Sequence, residues 1–246
     1  MPGDPLPPMT PATDPDQTDL VSRLLYRDGM VLIIDKPAGL AVHAGPRDGS
    51  ANLMQMLDQL RFGLPRPPEL AHRLDRDTSG CLVLGRHRKA LARLGELFAG
   101  GQVEKTYWAV VVGRPPGEAG LIETPLKKLE RRHGWRMVTD CKGLPSATRW
   151  RVLGQDQRLT WIEAKPLTGR THQIRVHLAS IGCPLAGDSI YGRGTGDLAA
   201  PRLHLHARHI SVPFHPRKPP ITATAPVPGH MGKLLAGCGW TDKDSK

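Results

Sequence analysis

Residues 72–80 read His-Arg-Leu-Asp-Arg-Asp-Thr-Ser-Gly and run directly into the apolar segment Gly80–Gly85. Arg73 and Asp75 flank the single apolar Leu74, and Arg76 and Asp77 follow at once. Two carboxylates and two guanidiniums in five residues, placed just ahead of a buried strand, are unusual for a solvated loop. Opposite charges within a few ångströms favour an ionised carboxylate, which suits nucleophilic or electrostatic work over general-acid work. An exposed salt-bridge cluster is the competing reading of these residues taken alone.

Working outward, Gly80–Gly85 reads as a strand and Met30–Asp35 as another, closed by Lys36-Pro37-Ala38-Gly39. Ser50–Leu60 reads as a short helix. Arg88–Phe98 is helical, with Ala90, Leu91, Leu94, Leu97 and Phe98 on one face and Gly100-Gly101 ending it. Lys105–Gly113 is β-branched and aromatic, hence a strand. Ala147–Leu153 and Leu159–Lys165 pair around a turn at 154–157. Thr171–Ile181 is a helix that Thr171 can cap, with Ile174, Leu178 and Ile181 together and Gly182 past its end. Strands outnumber helices and mostly follow one another directly. The expected class is α/β of the α+β type: a mixed, mostly antiparallel central sheet with flanking helices and a catalytic cleft.

The chain has 246 residues and a formal charge of +11. The first 19 residues hold four Asp, six Pro and no Lys or Arg, so residues 20–246 carry +15. Residues 1–19 read as a disordered leader, 20–238 as one folded domain and 239–246 as a polar tail. So basic a domain points to a polyanion, most simply nucleic acid. No apolar run is long enough to span a bilayer, and the N-terminus lacks a secretory pattern. Cys81, Cys141, Cys183 and Cys238 form no Cys-x-x-Cys pair, so neither structural zinc nor a disulfide framework is expected. These features describe a cytoplasmic protein with reduced thiols.

A second basic constellation occupies 168–178, Thr-Gly-Arg-Thr-His-Gln-Ile-Arg-Val-His-Leu. It sets Arg170, His172, Gln173 and Arg175 at a helix start, where free N–H groups and the helix dipole favour phosphate. Arg175, off the apolar face, can reach a carboxylate from another segment. A helix with a basic solvated face remains the alternative.

The ordered series Asp-Lys-Pro-Ala-Gly-Leu-Ala-Val-His (35–43), His-Arg-Leu-Asp-Arg-Asp-Thr-Ser-Gly (72–80), Lys-x-Tyr-x-Ala (105–109), Gly-Arg-Thr-His-Gln-Ile-Arg-Val-His-Leu (169–178), Gly-Asp-x-x-Tyr-Gly (187–192) and Leu-His-Ala (205–207) with His-Pro (215–216) resembles the RluA-type family of RNA pseudouridine synthases. The match runs over roughly residues 26–216. It implies the pseudouridine synthase fold and isomerisation of uridine within RNA, without a cofactor. It implies Asp75 as the catalytic carboxylate, Arg175 as the ion pair that orients it, and Tyr107 as the ring stacked on the target base, with a part in proton transfer. It further implies RNA contacts for Arg73 and Arg170. His72, His172 and Arg76 are carried as further RNA-binding candidates, Arg76 with a scaffolding role as the alternative. The expected partner is structured RNA, ribosomal or transfer, and the expected state is a monomer. The resemblance also suggests a compact member without the S4 domain that many relatives carry. Ala44-Gly45 departs from the His-Pro common after the first motif.

Two other functions compete. His204, His206 and His209 invite a metal reading, but they are interspersed with Leu and Arg and have no carboxylate or Cys nearby, so no metal is expected. Five Trp and three Tyr fit a non-catalytic RNA-binding module that stacks on bases. Such a module has no need of Asp75.

Overall fold

A computed structural model describes residues 19–43, 52–132, 134–192 and 200–245. The first half contains β1 (Leu24–Arg27), β2 (Val31–Lys36), a short α1 (Leu53–Met56) continued as a 3₁₀ turn, β3 (Glu69–Leu70), β4 (Ser79–Gly85), α2 (Arg88–Ala99) and β5 (Glu104–Val112). The second half contains β6 (Ala119–Ile122), β7 (Leu126–Arg131), β8 (Gly134–Thr139), β9 (Thr148–Gln155), β10 (Leu159–Pro166), α3 (Gln173–Ser180), β11 (Leu205–Val212), β12 (Ile221–Thr224) and α4 (Gly229–Gly237).

Ten of these strands form one sheet in the order β1-β2-β4-β11-β5-β10-β9-β6, with β3 on β4 and β12 on β11. The β4–β11 pair is parallel and the others are antiparallel. The strands β7 and β8 pair separately as a hairpin. This is the mixed, mostly antiparallel α+β sheet expected.

Period-two alternation assigns the faces of the central strands. In β5, Ala109 and Val111 face a cluster with Ile162, Ala164, Ile174 and Leu178, which seats α3 on one side. Trp108 and Val110 face the other side, where Trp161, Met231 and Leu235 bring in α4. A third cluster packs β2 and β4 against α2 through Ile33, Leu82, Leu84, Leu94 and Leu97. All seven residues of β4 are buried, as a continuous apolar run at the centre of a sheet requires.

Some boundaries differ from expectation. The helix beginning at Thr171 starts instead at Gln173, because His172 adopts a left-handed φ of 53° and no side chain caps it. The segment Ser50–Leu60 is α-helical over four residues, with Ser50 and Ala51 outside the described residues. Leader residues 1–18 and Ala44-Gly45 also lie outside them. The supposed polar tail is docked: Trp240 packs beside α4, and Arg208 Nη2 donates to the Asp244 carbonyl at 3.3 Å. Among the described residues no helix is long and apolar enough to cross a membrane.

Candidate active site

The loop that precedes β4 is pinned by its one apolar residue. Leu74 is 5% exposed in the core, which turns Arg73 and Asp75 outward on either side of it. The loop's exit is held where β4 meets β11. Gly80 pairs with Ala207, and a Cβ on Gly80 would lie 2.3 Å from the Ala207 carbonyl oxygen. With φ at +104° as well, this position requires glycine. Beside it Ser79 Oγ bonds His206 Nδ1 at 2.9 Å, both residues buried. The loop is tied to the first motif by Lys36. This fully buried ammonium donates to the carbonyls of Pro37, Leu40 and Arg76 at 2.8, 2.8 and 2.9 Å, using all three of its protons. Arg76 completes the tie, giving Nε to the Gly39 carbonyl at 3.1 Å.

A cleft of about 500 Å³ opens beside this loop. Its wall includes Asp75, Tyr107, Arg175, Arg73, Arg170, His72 and His172, which are the expected site residues except Arg76. They come from the loop before β4, from β5, and from the start of α3.

The geometry around Asp75 differs from a simple ion pair. Arg175 Nη1 lies 3.5 Å from Asp75 Oδ2, but Nε and Nη2 grip Asp188 at 2.8 and 2.9 Å. Asp188 has no exposed side-chain surface and also accepts the backbone N–H groups of Ile190 and Tyr191. Although burial opposes ionisation, Arg175 and these N–H groups hold its carboxyl below the usual range. Residues 173–178 are all buried, so α3 carries no basic solvated face. Gln173 is structural: its amide oxygen accepts from Thr168 Oγ1 and Arg170 N, and its nitrogen donates to the Ala147 carbonyl and Thr148 Oγ1.

His172 closes the second side of Asp75, with Nε2 3.9 Å from Oδ2. Its Nδ1 is 2.9 Å from the Tyr191 hydroxyl, which accepts from the Met137 N–H at 3.0 Å. The Tyr191 hydroxyl can give its own proton to Nδ1, an arrangement that leaves the His172 ring proton on Nε2, facing Asp75. Burial, aided by Arg175, draws the His172 pKa below the ordinary histidine range against the pull of Asp75.

Across the cleft, burial first and Asp75 second raise the Tyr107 pKa, so its hydroxyl keeps its proton. His72 is a different kind of group from a phosphate-binding cation. Its Nε2 accepts the Val83 N–H at 3.0 Å, its ring stacks on Phe98 at 4.6 Å, and burial pushes its pKa down to about 3. It is a neutral wall. Arg73 and Arg170 are exposed, Arg170 giving Nε to the Pro145 carbonyl at 3.1 Å.

A strand-end loop, a buried arginine fork and a protonated tyrosine around one carboxylate can be set against known proteins. The profile of the RNA pseudouridylate synthase family matches residues 30–180. The chain belongs to that family. An uncharacterised RNA pseudouridine synthase of Zymomonas mobilis is 46% identical over 85% of this chain and 95% of its own length. A ribosomal large subunit pseudouridine synthase C of Vibrio parahaemolyticus is 37% identical over 89% of this chain and 70% of its own. The structure of human RNA pseudouridylate synthase domain containing 4 superposes with a TM-score of 0.73 at 26% identity, covering 88% of this chain and 94% of that one. The synthase is thus an isomerase acting on RNA, which settles the choice against a binding module.

Sequence reasoning assigned no role to Asp188 or Tyr191, although both stand in the Gly-Asp-x-x-Tyr-Gly segment it singled out. Lys105, on the cleft wall with Nζ 3.3 Å from the Thr168 carbonyl, was likewise quoted without a role. Trp135 carried no local signal.

Proposed function

We propose that the synthase converts a uridine of large-subunit ribosomal RNA to pseudouridine with Asp75 as the reacting carboxylate. The observation that carries this reading is the convergence of Asp75, Arg175 and Tyr107 on one cleft from three separate segments. In the reaction the N1–C1′ bond breaks, the base turns, and C5 bonds to C1′. C5 then gives up a proton and N1 gains one, so no cofactor is called for. Attack on C1′, attack on C6 and removal of the 2′ proton all use an ionised carboxylate. Arg175 orients that carboxylate. Tyr107 lies under the base, and its neutral hydroxyl relays the proton that leaves C5, releasing its own proton to solvent as it takes that one.

The uridine must leave its stack to reach Asp75, at a cost of about a few kcal/mol that is smallest in a loop or bulge. Arg73 and Arg170 offset that cost through phosphate contacts. Ribosomal RNA is favoured because the Vibrio parahaemolyticus relative is a ribosomal large subunit pseudouridine synthase. An RNA substrate supports a cytoplasmic location.

The test is carbodiimide mapping of pseudouridine in RNA from cells with and without the protein. A gap in large-subunit ribosomal RNA supports the assignment. A gap in transfer RNA moves the substrate, and an unchanged map removes the activity.

A further inference from the structure

The β7–β8 hairpin stands outside the main sheet and leans on α3. Its register pairs Glu130 with Trp135 and Lys128 with Met137, so these four share one face. Near the base of that face Met137 and Leu126 are buried against Val176 of α3. Towards the tip the same face runs past the helix, and there Trp135 is left 41% exposed. Of the other tryptophans, Trp108, Trp150 and Trp161 are 8, 4 and 5% exposed and Trp240 is part-buried. A large apolar ring held at a surface marks a contact site when its surroundings select a partner.

Two observations select one here. The ring stacks on His172, centroids 5.2 Å apart and planes 26° from parallel, and His172 is the residue 3.9 Å from Asp75. Trp135 therefore stands one ring away from the reacting carboxylate, beyond the wall of the cleft that takes the target. Residues 126–139 also carry five Lys or Arg against one Glu, and Lys128 Nζ lies 5.3 Å from the Trp135 ring centre. A flat ring among cations matches a nucleobase with its phosphates.

We propose that Trp135 is a stacking platform for an unpaired nucleobase of the substrate RNA that adjoins the uridine entering the cleft. This rests on the RNA-isomerase reading of the cleft and adds a binding residue to it. Stacking reads no base edge, so the platform selects for an unpaired neighbour in place of a given sequence. It holds the strand open next to the extruded uridine.

The experiment is single-turnover pseudouridine formation on total RNA from cells lacking the protein, at increasing enzyme concentration, for wild type, Trp135→Ala, Trp135→Leu and Trp135→Phe. For Ala and Leu the half-saturating enzyme concentration should rise about 10–100-fold, the range spanned by one lost base–aromatic stack. The maximal rate and the thermal melt should stay at wild-type values, and Phe should restore most of the affinity. Leu fills the space over His172 without offering a π-face, so Leu matching Phe would overturn the proposal. So would an unchanged half-saturation in Ala, or a lower maximal rate at unchanged half-saturation, which would mean that the ring acts by holding His172. A wild-type protein that forms no pseudouridine would overturn the isomerase reading and the platform together.

Discussion

Arg175 gives two of its nitrogens to Asp188, at 2.8 and 2.9 Å, and turns a third towards Asp75 at 3.5 Å. The bidentate grip fixes the guanidinium plane, and Asp75 meets a cation that is already oriented. The anchor is Asp188; Asp75 receives the donor left over.

Arg175→Met should therefore be destabilising as well as inactivating, because it strands Asp188 in the interior. Loss of one partner from a buried pair costs about 3–5 kcal/mol, a fall of about 6–20 °C in Tm for a domain of this size. The double variant Arg175→Met/Asp188→Asn should recover much of that loss while remaining inactive. Circular dichroism melts of the singles and the double decide it: a double variant no more stable than Arg175→Met would show that Asp188 is not the anchor.

Asp75→Asn keeps the shape of the loop and removes the charge. Pseudouridine formation should fall by about 10⁴-fold or more, while the affinity for substrate RNA stays near wild type. Filter binding and carbodiimide labelling on one preparation separate the two quantities, and turnover at the wild-type rate would reassign the reacting group.

Tyr107→Phe retains the aromatic ring on the cleft wall and loses the hydroxyl proton. A lost proton transfer should lower turnover by about 10²–10⁴-fold with RNA affinity unchanged. Normal turnover in this variant would take the hydroxyl out of the reaction.

The end of β2 should give the stability a pH signature. Burial raises Asp35 from 3.8 to about 6, against the pull of Arg23 and Lys36. The folded state then binds the extra proton between those values, and stability falls as pH rises through them. Burial lowers Lys36 from 10.5 to about 7, with Asp77, Asp75 and Asp35 working the other way. Here the unfolded state binds the extra proton, so stability climbs from about pH 7 towards 10. Urea unfolding across the range should show a minimum near pH 6–7. Asp35→Asn should be the more stable protein there by about 1–3 kcal/mol, and the advantage should vanish near pH 4. A gap that is the same at both pH values would show that Asp35 is not buried in its charged form.

How much of this was visible in the chain divides by residue. The strands β2, β4 and β5 and helix α2 are long, apolar or amphipathic, and their patterns survive without context. The hairpin β7–β8 is Leu-Lys-Lys-Leu-Glu-Arg and Gly-Trp-Arg-Met-Val-Thr. Its alternation is weak, because most of it faces water and what packing it has is against α3. The convergence of Asp75 and Arg175 was anticipated from the motifs. That the arginine's fork goes to Asp188, 13 residues further on, was not, since a loop between them decides which carboxylate arrives. The left-handed His172 could not be read from its neighbours either. Local propensity favours a helix there, and the contacts of its ring with Tyr191 and Asp75 outweigh it.

The parallel β4–β11 seam also joins segments that leave the ribosome far apart in time. Ser79 and its partner His206 are 127 residues apart, a gap that a ribosome takes about 6–25 s to cross at ordinary elongation rates. A nascent chain ending before β11 already carries Asp75, Tyr107, Arg175 and Asp188, but it lacks the strand that Gly80 closes on. The loop that carries Asp75 is therefore fastened at its exit only after β11 has been made.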